Sequence, residues 1–386
     1  MKYYIIAGEA SGDLHGSHLM EEIRALDPGA EFRCWGGDKM KAAGAVLVKH
    51  YRELAFMGFL EVIKNLPAIL RNLKFCKEDI LQYQPDKLIL IDYPGFNLRI
   101  SKWATKQRQE NNLNAQIIFY ISPQVWAWKE NRVKEMKKTI DRMLVILPFE
   151  KEYFKNKWNW EVDYVGHPLA EILKPAAAGD ENTANNIRQL SGGKKIIALL
   201  PGSRRQEIGK KLPVMLEVSK FFPDHQFIVA RAPGTDESFY QSLMAPYTNV
   251  SSVTGQTYDL LRVAEAALVT SGTATLETAL FNVPEVVCYK GSFLSYEIGK
   301  RVVKVKYISL VNLMMDRMVV KELIQHEMTT ENCRKELDLL LNDQDYRDRI
   351  KKDYAELRSI LSAKGNASRT AAGIIVRLND QPLHHA

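Results

Sequence analysis

The sequence predicts an α/β protein built from two doubly wound parallel-sheet domains facing a cleft. Three observations carry this reading. Short, unbroken apolar runs alternate with amphipathic stretches along the whole chain. The runs fall into two sets, each spread over roughly 150 residues, about the span one core fills before a chain divides. A loop-like stretch, Lys174-Pro-Ala-Ala-Ala-Gly-Asp-Glu-Asn-Thr-Ala-Asn, lies between the sets. Continuous apolar strands belong to parallel sheets, because helices cover both of their faces.

In chain order, the first set of strands reads Tyr3–Ala7, Lys87–Ile91, Gln116–Tyr120 and Met143–Ile146. The segment from Phe56 to Leu73 is apolar but interrupted by charges. Within it Phe59, Ile63, Leu66, Leu70 and Leu73 recur at helical spacing, and Pro67 is expected to break the run into two short helices. That stripe is either a core face or an exposed patch for a bilayer or acyl chains. The boundary falls near Pro168 to Asn186. The second set reads Ile196–Leu200, Gln226–Ala230, Ala266–Thr270 and Glu285–Tyr289. After Lys364, Gly365-Asn-Ala-Ser368 opens a helix running to about Leu378, and the last residues fray. The expected division is 1–170, 171–364, and a terminal helix and tail at 365–386, with packing back on the first domain as one option.

Composition narrows the class. Hydrophobic residues make up 46% and charged residues 26% of the 386, which suits a globular chain rather than a disordered one. The four cysteines, Cys34, Cys76, Cys288 and Cys333, are well separated in sequence and form no Cys-x-x-Cys. Neither a disulfide framework nor a zinc site is suggested, which fits a reducing cytoplasm. The first apolar run is too short for a signal peptide, and no run of about 18 uncharged apolar residues spans a bilayer. The formal charge of +7 suits an anionic partner: a nucleotide diphosphate, an anionic lipid or a nucleic acid. The Lys and Arg residues are dispersed, so nucleic acid is the weakest of the three and is not expected.

In open α/β sheets, ligands sit beyond the carboxyl ends of the strands. The first strand runs into Gly8-Glu-Ala-Ser-Gly-Asp13, where Gly8, Gly12 and Gly16 allow close backbone approach to an anion or sugar. Ser11 or Asp13 can equally cap the next helix. Glu9 is either a sugar-hydroxyl ligand or a solvated charge. The strand Lys87–Ile91 ends in Asp92, followed by Tyr93-Pro-Gly-Phe-Asn97. A strand-tip Asp can take a proton from an acceptor hydroxyl, or merely cap the turn. Asn97 can bind substrate or cap the following helix. Ser122, Gln124, Trp126 and Trp128 share one loop, where flat aromatic faces suit sugars or acyl chains as well as simple core anchoring.

In the second half, Pro201-Gly-Ser-Arg204 offers the N–H groups of Gly202 and Ser203 at a helix start, with a guanidinium beside them. This is not a Walker A loop, because the Gly-Lys-Ser/Thr ending is missing. A second hydroxyl-rich turn, Ser271, Gly272, Thr273, Ala274 and Thr275, can cradle a diphosphate, and Glu277 can bind ribose hydroxyls. Its plain alternative makes Ser271 a cap and Glu277 a helix residue that suits the dipole. No metal is expected: the one Asp-x-Asp, Asp343-Gln-Asp345, lies away from any strand end, and the histidines show no metal motif. His15 and His18 look structural, and His167 is placed at the domain boundary, where it can face the cleft. No cofactor is implied.

The chain resembles the bacterial lipid-A-disaccharide synthases nearly end to end. The resemblance rests on Ala7-Gly-Glu-Ala-Ser-Gly-Asp13, Met57-Gly-Phe-Leu-Glu-Val62, Ile91-Asp-Tyr-Pro-Gly-Phe-Asn97 and Ser122-Pro-Gln-Val-Trp-Ala-Trp128. It continues through Leu147-Pro-Phe-Glu-Lys151, Val165-Gly-His-Pro168, Leu200-Pro-Gly-Ser-Arg204, Ser271-Gly-Thr-Ala-Thr275 and Tyr307-Ile-Ser-Leu-Val-Asn312. It implies a GT-B glycosyltransferase fold of two Rossmann-like domains. It implies an inverting reaction joining UDP-2,3-diacylglucosamine to 2,3-diacylglucosamine 1-phosphate, giving a β-1,6 disaccharide 1-phosphate and UDP. It places the family's base on Asp92, its phosphate-contacting arginine on Arg204 and its UDP pocket on Ser271 to Glu277, with Asn312 and Gln325 as additions. Gly95 departs from the family, many of whose members carry Asp there, which leaves Asp92 as the motif's carboxylate. Acylated substrates imply a cytoplasmic enzyme at the inner-membrane surface, with Phe59, Ile63, Leu66 and Leu70 as candidate contacts. A UDP-sugar epimerase, a transferase with another acceptor, and a non-catalytic lipid-binding protein are the alternatives on the same fold. The oligomeric state is left open.

Overall fold

Side chains of a strand alternate between the two faces of its sheet, so an unbroken apolar strand needs a core on each side. Strand β1 (Lys2–Ala7) has both. Tyr4 and Ile6 enter one buried cluster with Leu88, Leu90, Ile117 and Phe119. Tyr3, Ile5 and Ala7 enter the other with Ile89, Ile91, Ile118 and Tyr120. The computed structural model that shows this describes residues 1–53, 66–169, 181–232, 234–291 and 306–378. Two compact units result: Met1–Pro168 with Ser362–Ala386, and Leu169–Leu361.

In unit 1, β1 joins β2 (Glu31–Gly36), β3 (Val46–His50), β4 (Lys87–Ile91), β5 (Gln116–Tyr120), β6 (Arg142–Val145) and β7 (Asp163–Tyr164). The strand order is β3-β2-β1-β4-β5-β6-β7, and the pairs are parallel. Unit 2 repeats the pattern with β8 (Lys195–Leu200), β9 (His225–Arg231), β10 (Val250–Thr254), β11 (Ala264–Thr270), β12 (Glu285–Tyr289) and β13 (Lys321–Ile324). Its order is β10-β9-β8-β11-β12-β13, again parallel. In each sheet the order reverses beside the first strand, between β1 and β4 and between β8 and β11. That reversal opens a crevice at the strands' carboxyl ends, the usual ligand position of this architecture.

Helices cover both faces of the unit 1 sheet. Leu19, Met20 and Ile23 of helix Ala10–Leu26 share a cluster with Ala371, Ala372 and Ile375 of helix Ala367–Arg377. Helices Leu66–Tyr83 and Pro94–Gln109 supply Leu73, Cys76, Ile80, Phe96 and Ile100 to the other cluster.

The expected break of 56–73 at Pro67 is tested on one side alone, because 56–65 lie outside the described residues. Pro67 sits in the first turn of the 18-residue helix Leu66–Tyr83, longer than a short helix. There its missing N–H has no intrahelical partner to lose. The stripe read from sequence also parts. Ile69, Leu73, Cys76 and Ile80 face the core, while Leu70 is 55% exposed. Phe59 and Ile63 lie outside the described residues, as does the side chain of Leu66. No described helix is long and apolar enough to cross a membrane.

Candidate active site

The turns after β1 and β4 line the reversal point of unit 1. After β1 the chain passes through Gly8 into helix Ala10–Leu26, with Glu9 in extended backbone at its N-cap. Gly8 is required by contact: a Cβ there would stand 2.3 Å from Cγ of Tyr93. Gly12 packs on Ala7, and its Cβ would lie 3.0 Å from that of Ala7. Ser11 is exposed in the first turn. Asp13 caps a different helix from the one expected: its buried carboxylate accepts N–H bonds from Gly37, Lys39 and Met40 at 2.7, 3.1 and 3.0 Å. It thereby fixes helix Asp38–Ala42.

Asp92 follows β4 in left-handed backbone, φ 44°, and Tyr93 repeats it at φ 48°. Two successive non-glycine residues in this region store strain. Asn97 holds the strained turn in place. Its amide donates to the carbonyls of Asp92 at 2.7 Å, Ile91 at 3.2 Å and Ile6 at 3.4 Å, tying the ends of β4 and β1 together. It is fully buried. Neither reading of Asn97 from sequence, as substrate ligand or as helix cap, matches this use. Burial pushes the Asp92 carboxyl up to about 6; the negative charge of Glu9 adds to this, and the Tyr93 backbone N–H opposes it. A half-buried carboxylate poised near neutrality is suited to general-base chemistry.

The loop after β5 is anchored from below. Trp126 Nε1 donates to the buried Glu150 at 3.2 Å, and its ring meets Phe149 edge-on. Glu150 also accepts from the Leu147 N–H, and burial pushes its carboxyl up to about 7. Ser122 is buried with its hydroxyl turned to the Pro123 carbonyl. Gln124 is exposed. So is Trp128, whose ring carries the Lys129 ammonium at 4.4 Å. His15 and His167, both in unit 1, are held neutral by burial, with pKa values lowered to about 4 and about 3.

In unit 2 the turns after β8 and β11 line the corresponding reversal point. Gly202 takes φ +117°, a region open to glycine. Ser203 is exposed, and Arg204 is the N-cap of helix Arg205–Val218, its guanidinium 57% exposed and 3.3 Å from Glu207. Gly272 takes φ +143° before helix Thr273–Leu280. Gly272 and Thr273 are open to solvent, and Ala274 is half-buried. The N–H groups of a helix start beside an arginine fork are suited to phosphate oxygens.

Several predicted ligands are already spent on protein. Thr275 is buried and its hydroxyl donates to the Gly272 carbonyl, so that donor is already used within the turn. Ser271 donates to the Ile308 carbonyl. Asn312 is fully buried: its amide donates to Val320 and Glu322, and its oxygen accepts from Val319 and Val320. That leaves Asn312 as a brace for β13 rather than a ligand. Glu277 accepts the Tyr258 hydroxyl at 3.0 Å, and burial raises its pKa. Gln325 stands just past β13 in left-handed backbone, its oxygen on the Gly291 N–H. Unit 2 also holds a buried cation that was not expected there: Lys211, which donates to the Thr270 hydroxyl at the tip of β11. The signal was present, because Lys211 falls on the face of its helix that carries Ile208, Leu212 and Met215.

Comparison with known proteins bears on the family and the fold. A family profile described as lipid-A-disaccharide synthetase matches residues 3–376. The lipid-A-disaccharide synthase of Geobacter sulfurreducens is 37% identical over 379 residues, covering 97% of this chain and 96% of that one. Among solved structures, a UDP-GlcNAc 2-epimerase from Neisseria meningitidis bound to UDP-GlcNAc has a TM-score of 0.65 at 13% identity, covering 97% and 100% of the two chains. A glycosyltransferase from Rickettsia africae has a TM-score of 0.61 at 12% identity, covering 99% of each. At such identities the structures show a shared GT-B-type fold and no more.

Proposed function

The chain belongs to the lipid-A-disaccharide synthase family, and from that premise we propose how its residues divide the reaction. It is a glycosyltransferase of lipid A disaccharide synthesis. The donor is UDP-2,3-diacylglucosamine and the acceptor 2,3-diacylglucosamine 1-phosphate. Asp92 takes the proton of the acceptor's 6-hydroxyl. The freed oxygen attacks the anomeric carbon on the face opposite UDP, the bond to the diphosphate breaks, and the α linkage becomes β. The electron pair leaves on UDP, which needs no protonation. Arg204 and the N–H groups at Gly202–Ser203 and Gly272–Thr273 offset the charge on the leaving diphosphate.

The observation that carries this division is chemical contrast at equivalent places. Unit 1 presents a desolvated carboxylate at its reversal point. Unit 2 presents two glycine turns and an exposed guanidinium at its own. The test is a product assay with the acylated donor, with and without acceptor. Disaccharide and UDP should form only when both are present, and Asp92→Ala should lose about 10²–10⁴-fold in turnover while folding normally. Conversion of the donor alone would favour the epimerase reading, and a fully active Asp92→Ala would remove Asp92 from the chemistry.

Both substrates carry acyl chains, so the enzyme works peripherally at the cytoplasmic face of the inner membrane. Leu70 and Phe75, 55% and 45% exposed on helix Leu66–Tyr83, supply apolar surface for that contact. Leu70→Glu should reduce co-sedimentation with anionic vesicles, and unchanged binding would take this helix out of the membrane contact.

A further inference from the structure

A buried ammonium lies beneath both phosphate-ready turns of unit 2. Lys211 is 3% exposed, on helix Arg205–Val218 among Ile208, Leu212 and Met215. Its Nζ donates to Thr270 Oγ1, the residue directly before Ser271 and Gly272. The same nitrogen would lie 3.5 Å from a Cβ built on Gly202, in the other turn. One cation therefore touches the roots of both loops that end at the reversal point between β8 and β11.

The compensation it receives from the described residues is small. Taking an ammonium out of water costs several kcal/mol, and a close carboxylate with further hydrogen bonds is what normally offsets this. Among the described residues Nζ has one hydroxyl and one carboxylate, Glu207, at 3.8 Å. Glu207 is 38% exposed and shared with Arg204 at 3.3 Å. An apolar side chain would fill the same helix position without that cost. Burial lowers the pKa of Lys211, Glu207 and Cys288 raise it, and Arg204 lowers it. Lys211 and Arg204 both reach Glu207, so an anion arriving at these turns meets two cations.

We propose that Lys211 is a positioning residue for a nucleoside diphosphate, holding the Gly202 and Ser271–Gly272 turns in register and supplying positive charge beneath the bound phosphates. The proposal rests on the reading of unit 2 as the UDP-sugar unit. It also assigns Glu207 a part. Held by Lys211 through one oxygen, Glu207 loses Arg204 from the other when the diphosphate arrives.

The test compares UDP with uridine, which lacks phosphate, by calorimetric titration of the full chain. Wild type should bind UDP far more tightly than uridine. Lys211→Met should weaken UDP by about tenfold or more, the scale of a lost charged contact, and leave uridine within about twofold. Lys211→Arg should recover part of the loss. Glu207→Gln removes a competing negative charge at a half-exposed site, so it should tighten UDP and leave uridine alone. This second variant decides the matter if Lys211→Met does not fold. Lys211→Met that binds UDP as wild type does, or that weakens UDP and uridine equally, would reduce Lys211 to packing and overturn the inference. Weaker UDP binding by Glu207→Gln would do the same. A wild-type chain that fails to prefer UDP over uridine would instead sink the assignment of unit 2 itself, and the inference with it.

Discussion

Asp92 holds its charge against its surroundings, and that sets the pH at which the chain can work. A base must be ionised to take a proton, and burial with the Glu9 charge puts this carboxyl at about 6. The active fraction should therefore fall roughly tenfold per pH unit below that value. The expected kcat/KM profile has an acid limb near pH 6. Glu9→Gln removes the charge that raises Asp92, so the limb should move to lower pH. A limb that stays put in Glu9→Gln would mean that another group is being titrated. Asp92 was visible in the sequence because a carboxylate directly follows a buried apolar run. Asn97, Asn312 and Thr275 were visible too, yet each spends a polar atom on main-chain groups. Sequence shows that a polar side chain lies near a strand end, but not whether backbone has already claimed it. Lys211 is the reverse case: a lysine on an apolar helix stripe reads as an irregularity until the structure shows what it touches.

Glycines decide how closely the loop elements can approach, and the reversal point of unit 1 depends on one of them. A methyl on Gly8 would lie 2.3 Å from Cγ of Tyr93, where two residues already hold left-handed backbone. Gly8→Ala must displace that ring or the Asp92 turn, at about 1–3 kcal/mol of stability and with a loss of kcat/KM. Gly95 is the control, since a Cβ there meets nothing within 4 Å and the residue lies in a helix. Gly95→Ala should be neutral or stabilise by a few tenths of a kcal/mol. Thermal melts and initial rates of the two variants check this, and equal behaviour would refute the steric account. At this scale the central strands were legible, because β1, β4, β5, β8 and β11 are apolar on both faces. The outer strands were not. β3 reads Val-Leu-Val-Lys-His and is half exposed, β10 reads Val-Ser-Ser-Val-Thr, and β13 reads Lys-Glu-Leu-Ile. Among the described residues each is an edge strand with one neighbour, so no continuous apolar run is required of it.

Across the whole molecule, chain order and spatial order differ. Unit 1 takes the first 168 residues and also the chain from Ser362 onward. The closing helix Ala367–Arg377 can be read from sequence as an amphipathic run after Gly365, but its spacing does not say which sheet it covers. In the structure Ala371, Ala372, Ile375 and Leu378 lie in one cluster with Leu19, Met20 and Ile23, and Gln116 donates to the Leu378 carbonyl at 2.9 Å. Unit 1 should therefore be incomplete without the end of the chain. Each fully buried aliphatic side chain uncovered forfeits about 1.5–3 kcal/mol, against a whole-domain stability of only about 5–15 kcal/mol. All six tryptophans, Trp35, Trp103, Trp126, Trp128, Trp158 and Trp160, belong to unit 1, so their fluorescence follows that unit alone. A chain ended at Leu361 should lose its cooperative fluorescence transition in urea while far-UV circular dichroism keeps a transition from unit 2. UDP binding should survive in such a chain if unit 2 carries the nucleotide. A truncated protein whose tryptophan transition matches the full-length one would show that β1 and helix Ala10–Leu26 need no cover from the closing helix.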